Sequence, residues 1–134
     1  MKQPVAPFEG SPPAMGPYSL AVRASGDFVF VSGMTPFDPS TGKIERGTLA
    51  RQTELVLTNI RNVLAAAGCS LSDVVSCRVY LTKLNPETFA EMNAVYATFF
   101  GESKPARATV GTELLGFDVE IEAVAVVPSK TLNQ

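Results

Sequence analysis

Apolar residues recur along the chain at two spacings, and the switches between them predict the elements. Tyr18–Ala24 and Phe28–Ser32 are short apolar runs split by Ser25-Gly26-Asp27. Gly26 supplies the positive φ that a tight turn needs, so the two runs predict a β-hairpin. From Leu49 the spacing changes to three and four, with Thr53, Val56, Leu57, Ile60, Val63, Leu64 and Ala67 on one helical face. Thr48 precedes this run as an N-cap, and Gly68 follows it as a closing glycine. Ser70-Leu71-Ser72-Asp73 predicts a single capped turn. Alternation then returns: Val75, Cys77, Val79 and Leu81 stand against Val74, Ser76, Arg78 and Tyr80, a strand with a mixed second face.

Asn85-Pro86-Glu87 predicts a second helix, combining an N-cap, a proline at the first position and an acid at the positive dipole end. Phe89, Met92, Asn93, Tyr96, Phe99 and Phe100 form its inner stripe, and Gly101 ends it. Ala106–Thr112 and Asp118–Val127 predict two final strands joined through Glu113–Phe117. The prolines of residues 1–15 predict an extended arm, and Pro36–Gly42 a turn-rich loop. The order is ββαβαββ: one α+β domain over residues 1–134, with two helices on one face of a mixed sheet.

The uncovered sheet face carries its own information. On the last strand Val119, Ile121, Ala123, Ala125 and Val127 share one face, and Glu120, Glu122, Val124 and Val126 the other. Phe28 and Phe30 oppose Val29 and Val31 in the same way. Both faces are substantially apolar, and two helices cover only one. A half-apolar sheet left in water would be an oversized hydrophobic patch, so the second face is expected to be buried by self-association.

Composition narrows the chemistry. The 134 residues are 46% apolar and 18% charged, with net charge −2, and no basic stripe suits a non-specific nucleic-acid binder. Histidine is absent, which excludes Ser-His and Cys-His nucleophile pairs and histidine-containing zinc sites. Cys69 and Cys77 make neither a four-cysteine site nor a CxxC pair, and read as two buried thiols of a reducing cytosol. No metal is expected. No apolar segment follows Lys2 as in a signal peptide, and no run approaches the roughly 18 apolar residues of a membrane span, so a soluble cytoplasmic protein is expected.

The remaining tools are carboxylates, arginine, tyrosine, hydroxyls and backbone groups. Glu120 and Glu122 share one face of an apolar strand, where a buried glutamate needs a partner or a raised pKa. Either condition suits proton handling; a solvated edge or a structural ion pair is the alternative. Arg107 opens a strand, and its planar fork suits a carboxylate ligand, although a lone arginine is more often a surface or ion-pair residue. Gly16-Pro17-Tyr18 and Ser32-Gly33 offer backbone close to an anion, or ordinary turns. Tyr96 reads as packing.

Several fragments, in order, resemble the RidA (YjgF) family. They are Ala14-Met15-Gly16-Pro17-Tyr18-Ser19, Phe30-Val31-Ser32-Gly33, Gln52-Thr53, Asn59-Ile60 with Ala66-Ala67-Gly68, and Val79-Tyr80-Leu81-Thr82. Met92-Asn93-Ala94-Val95-Tyr96, Phe99-Phe100, Pro105-Ala106-Arg107 and Val119-Glu120-Ile121-Glu122-Ala123 complete the set. The resemblance implies a chorismate-mutase-like α+β fold assembled as a homotrimeric barrel, with a ligand cleft at each of three subunit interfaces. It implies hydrolysis of enamine and imine acids, such as 2-aminoacrylate/2-iminopropanoate and 2-iminobutanoate, to 2-oxo acids and ammonia without a cofactor. By position, Arg107 would clamp the substrate carboxylate and Glu120 would orient or activate water. Tyr18, Ser32, Gly33, Asn93 and the Thr109 backbone would line the cleft. Met34 stands where the family commonly has Gln, Thr109 where it often has Cys, and the loop from Thr112 to Val119 is shorter than usual. The altered shell allows a member specialised for another enamine acid, such as a ureido-pathway aminoacrylate or aminomuconate. A non-catalytic, keto-acid-binding regulatory trimer is the alternative of a different class. The acidic balance and missing histidine disfavour a ribonuclease.

Overall fold

The computed structural model describes residues 1–129. In chain order the strands and helices are β1 (Lys2–Pro4), β2 (Val22–Ala24), β3 (Phe28–Met34), β4 (Phe37–Asp38), β5 (Lys43–Ile44), α1 (Leu49–Ala66), β6 (Val74–Leu81), α2 (Pro86–Phe100), β7 (Ala106–Gly111) and β8 (Val119–Val126). The predicted caps set both helices. Thr48 Oγ1 accepts from Arg51 N at 3.1 Å, and α1 ends where Gly68 N–H donates to Ala65 O and Cys69 N–H to Leu64 O. Gly68 takes φ +79° there, the left-handed residue of a Schellman closure. Asn85 Oδ1 accepts from Thr88 N at 2.9 Å while Thr88 Oγ1 accepts from Asn85 N at 3.1 Å, with Pro86 at the first helical position. The Ser70–Asp73 turn is a short 3-10 helix over Leu71–Asp73, closed by Ser70 N–H on the Asp73 carboxylate at 2.8 Å.

The main sheet has four strands in the order β3-β8-β6-β7, parallel only between β6 and β7. Both helices pack on one face. Val56, Leu57, Ile60 and Leu64 of α1, and Met92 and Tyr96 of α2, are fully buried with Val79, Leu81, Val119, Ile121 and Ala125. The opposite face stays uncovered within the chain: Phe30 is 77% exposed and Phe28 and Val110 each 42%. Among the described residues no helix is long and apolar enough to cross a membrane.

Three local expectations change. Gly26 does turn the chain, at φ +125°, but no hairpin forms: β2 pairs with β1 and β3 with β8. Within the arm, Lys2–Pro4 forms a ribbon with Val22–Ala24. β3 gains more from β8, where Val29 and Val31 reach the helical layer, than from a three-residue neighbour. In β6 a register shift between Val74 and Ser76 puts Val74, not Val75, fully into the core. A bulge adds one residue to a strand and reverses the alternation before it. Finally, the turn-rich loop holds a two-residue ribbon, β4 with β5, around Gly42 at φ +72°.

Gln52 is a fully buried polar residue whose amide is completely used. Nε2 donates to Gly47 O at 3.0 Å and Asp118 Oδ2 at 2.9 Å, and Oε1 accepts from Asp118 N at 2.8 Å. It ties the entry of α1 to the start of β8. Gln52→Leu keeps the volume but orphans those partners, and is expected to cost about 2–4 kcal/mol. Urea unfolding checks this as a lower midpoint at unchanged slope.

Candidate functional site

Arg107 lies on β7 beside Cys77 of β6, and Thr109 beside Val79, so both side chains point to the helical face. There α2 receives the guanidinium. Its central carbon sits 4.8 Å from the Tyr96 ring centroid, 5.5 Å from Phe89 and 5.3 Å from Tyr18, and Nη1 lies 4.0 Å from Met92 Sδ. Gly16 roofs the cage: a Cβ there would lie 3.0 Å from Arg107 Nη2 and 3.1 Å from Asn93 Nδ2. A side chain at position 16 would push this cover off.

The cage is polar and unsatisfied. Arg107 Nε and Nη2, Asn93 Oδ1, Thr109 Oγ1 and Tyr96 OH are all buried without a hydrogen-bond partner. Tyr96 OH is close enough to Cys77 and Arg107 to perturb both, without hydrogen-bond geometry to either. The ion pairs among the described residues are Arg51–Asp38, Arg51–Glu54 and Arg78–Glu122, so no carboxylate neutralises Arg107. Burial lowers the Arg107 pKa from its ordinary value, yet an arginine keeps its charge at neutral pH. Burial also raises the Tyr96 hydroxyl, and it pushes the Cys77 thiol up to about 11. Cys77 is therefore a neutral thiol rather than a nucleophile. Cys69 and Cys77 are both free and buried.

Glu120 stands elsewhere. It alternates with the core residues Val119 and Ile121 and pairs with Tyr80, which puts it on the face away from the helices. Ser32 and Gly33 join it there. Val31 pairs with Ala123 and Met34 with Ile121, so Ser32-Gly33 carries the extra residue of a bulge inside β3 rather than a strand-end turn. The Glu120 carboxylate lies against Gly33, in space a Cβ would occupy. Glu122 is already engaged: Tyr80 OH donates to its Oε1 at 2.6 Å, and Arg78 Nη1 lies 3.6 Å away. That hydrogen bond raises the Tyr80 pKa. Glu120 makes no such bond among the described residues.

The expected residues thus form two groups. Tyr18, Asn93, Arg107 and Thr109 come together at one edge of the sheet, on the helical face. Ser32, Gly33 and Glu120 come together near the other edge, on the opposite face. Within one chain Arg107 and Glu120 share no cleft. Phe89 and Tyr96 read as core in the sequence but are walls of the cage; the one signal was polar Asn93 within their apolar stripe. No group of three or more potential metal-ligating side chains occurs among the described residues.

The family model described as Endoribonuclease L-PSP matches residues 8–127. A RutC family protein of Pyrococcus horikoshii is 51% identical over 119 residues, covering 87% of this chain and 92% of its own. A solved RidA from an Antarctic Psychrobacter superposes with TM-score 0.70 at 39% identity, over 90% of this chain and 97% of its own. A solved Yersinia pestis protein of the Rid family, of unknown function, reaches TM-score 0.82 at 29% identity, over 93% and 98%.

Proposed function

The chain belongs to the RidA (YjgF) family, and from that premise we propose that it is an imine deaminase. It hydrolyses 2-imino and enamine acids, 2-iminopropanoate and 2-iminobutanoate among them, to 2-oxo acids and ammonia. The observation that carries this reading is the half-buried Arg107 guanidinium, whose Nε and Nη2 are buried without a hydrogen-bond partner and which has no carboxylate counter-ion among the described residues. A cation so placed favours an anion of matching shape, and a carboxylate takes two parallel N–H···O bonds. Asn93 Oδ1 only accepts, so it suits a donor such as an imine or enamine N–H.

The carboxylate rests on Arg107, which fixes the adjacent C=N carbon. Glu120 takes a proton from water as the water oxygen bonds to that carbon, the C=N electron pair moves to the nitrogen, and the nitrogen takes up a proton from solvent. Glu120 then returns its proton to the carbinolamine nitrogen. The C–N bond breaks as the hydroxyl oxygen forms C=O and gives its proton to solvent, and ammonia leaves with the 2-oxo acid. An imine carbon is already electrophilic, so orientation plus one proton-handling group suffices. Since the two groups lie on opposite faces of one sheet, the cleft takes Arg107 from one copy and Glu120 from another. A homotrimer meets that need and covers the apolar outer face.

The test is an assay in which a serine or threonine dehydratase generates the imine while 2-oxo acid release is followed. Added protein is expected to speed release; an unchanged rate refutes the proposal. The family description favours RNA cleavage as a second reading, but Glu120 and Glu122 on the open face, and a net charge of −2, oppose phosphate binding. RNA cleavage that survives repurification, with imine decay unaffected, would favour it.

A further inference from the structure

Arg107 Nε and Nη2 are sealed from solvent in the chain as it stands. An acid can reach them only if something moves, and the cover is the segment Met15–Tyr18. Gly16 lies over Nη2 and Asn93, and the Tyr18 ring stands beside the guanidinium. This segment has no ladder of its own. Met15 N–H donates to Tyr18 OH at 3.0 Å and Tyr18 N–H to Gly16 O at 2.9 Å, both bonds internal to the turn.

What fixes the turn to the body is the next residue. Ser19 Oγ donates to Lys104 O at 2.5 Å, and Ser19 N–H donates to Pro105 O at 3.0 Å. Both acceptors stand just before Arg107 on the approach to β7. One residue thus references the cover directly to the strand that carries the cation. Beside Tyr18 an open groove of about 530 Å³, lined by Pro4–Pro7, Ser11–Ala14 and Tyr18–Leu20, gives that end of the turn room to move.

Resting on the reading of Arg107 as the carboxylate anchor, we infer that Ser19 is a positioning residue. Its hydroxyl holds the Met15–Tyr18 turn closed over Arg107 and sets how often the guanidinium is open to an acid. Losing that bond leaves the backbone bond from Ser19 N–H in place, so the turn loosens without the fold being lost.

Phenylglyoxal labelling of arginines in the intact protein, followed residue by residue by mass spectrometry, tests this. Exposed Arg23 and Arg61 serve as internal references. In the wild type Arg107 should label at least about tenfold more slowly than they do, because reaction waits on local opening. Ser19→Ala should speed Arg107 labelling about three- to tenfold with Arg23 and Arg61 unchanged, and Ser19→Thr should restore the slow rate. In turnover Ser19→Ala should lower KM with kcat within about twofold, because a larger share of the protein is open to the acid. An unchanged Arg107 rate in Ser19→Ala overturns the inference. So does a faster rate matched by faster amide exchange throughout α1 and β8, which marks general loosening. Added 2-oxobutanoate should protect Arg107. If it does not while Ser19→Ala still speeds labelling, the carboxylate-anchor reading fails and the role of Ser19 in closing the cage stands.

Discussion

Arg107→Met is expected to abolish turnover and at the same time to raise the melting temperature. The functional half follows from geometry. A bidentate guanidinium–carboxylate pair supplies both binding and orientation, and methionine replaces neither. Losing the clamp should lower kcat/KM at least about 100-fold, roughly 2.7 kcal/mol of transition-state stabilisation. Arg107→Lys should recover little, because an ammonium is a point charge without the planar fork. The stability half follows from the unsatisfied atoms. Without ligand, the fold holds a half-buried cation whose Nε and Nη2 lack partners, beside Tyr96 OH, which also lacks one. Such groups destabilise the folded state, and methionine beside Met92, Phe89 and Tyr96 restores apolar contact. The gain should be about 1–2 kcal/mol, or roughly 3–10 °C in melting temperature. Calorimetry at fixed protein concentration, with and without 2-oxobutanoate, checks both halves: the keto acid should stabilise the wild type and leave Arg107→Met unmoved. A variant that melts lower and still turns over would show that Arg107 is a structural cation.

How far the sequence revealed this depends on the range of the interaction concerned. The helices were legible because Thr48, Gly68, Asn85 and Pro86 act within one turn of themselves. Strand partners are chosen at long range, and there local signals misled. Gly26 announced a turn correctly, but the strands on either side of it pair elsewhere, β2 with β1 and β3 with β8. Bulges are harder still: one extra residue at Val74–Ser76 and another at Ser32-Gly33 reverse the facing of whatever precedes them.

The arrangement of the candidate residues was legible only in part. Alternation with Val119 and Ile121 already set Glu120 away from the helices. β7 gives no such cue, since Arg107 and Thr109 are its polar residues and yet point inward, while Ala108 and Val110 point out. A polar pair aimed at the core inverts the usual rule, and the proposed carboxylate site would account for the inversion. Nor could sequence show that Phe89 and Tyr96, spaced as any buried helix stripe, meet an arginine rather than another apolar side chain.

That arrangement yields the second large effect. If each cleft takes Arg107 from one copy and Glu120 from a neighbour, Arg107→Ala and Glu120→Gln are each inactive alone but complementary together. In a trimer with three equivalent interfaces, random mixing of the two variants in equal amounts leaves each cleft about one chance in four of drawing both intact residues. Unfolding and refolding the mixture should therefore restore about a quarter of wild-type activity from two preparations that have almost none. The double variant Arg107→Ala/Glu120→Gln mixed with wild type provides the control, since there the intact pair comes only from wild-type neighbours. A site built inside one chain predicts no recovery at any ratio, because no single chain in the first mixture carries both residues. Phe30→Glu should act on the same interface from the other side. It places a charge in the exposed apolar patch that includes Phe28 and Phe30, and should give a species of 14.2 kDa by light scattering. Its Arg107 cage would be intact, with Tyr18 and Asn93 in place, and its turnover lost. Full activity in that monomer would remove the need for a second copy, and with it the reason for pairing Arg107 with a neighbour's Glu120.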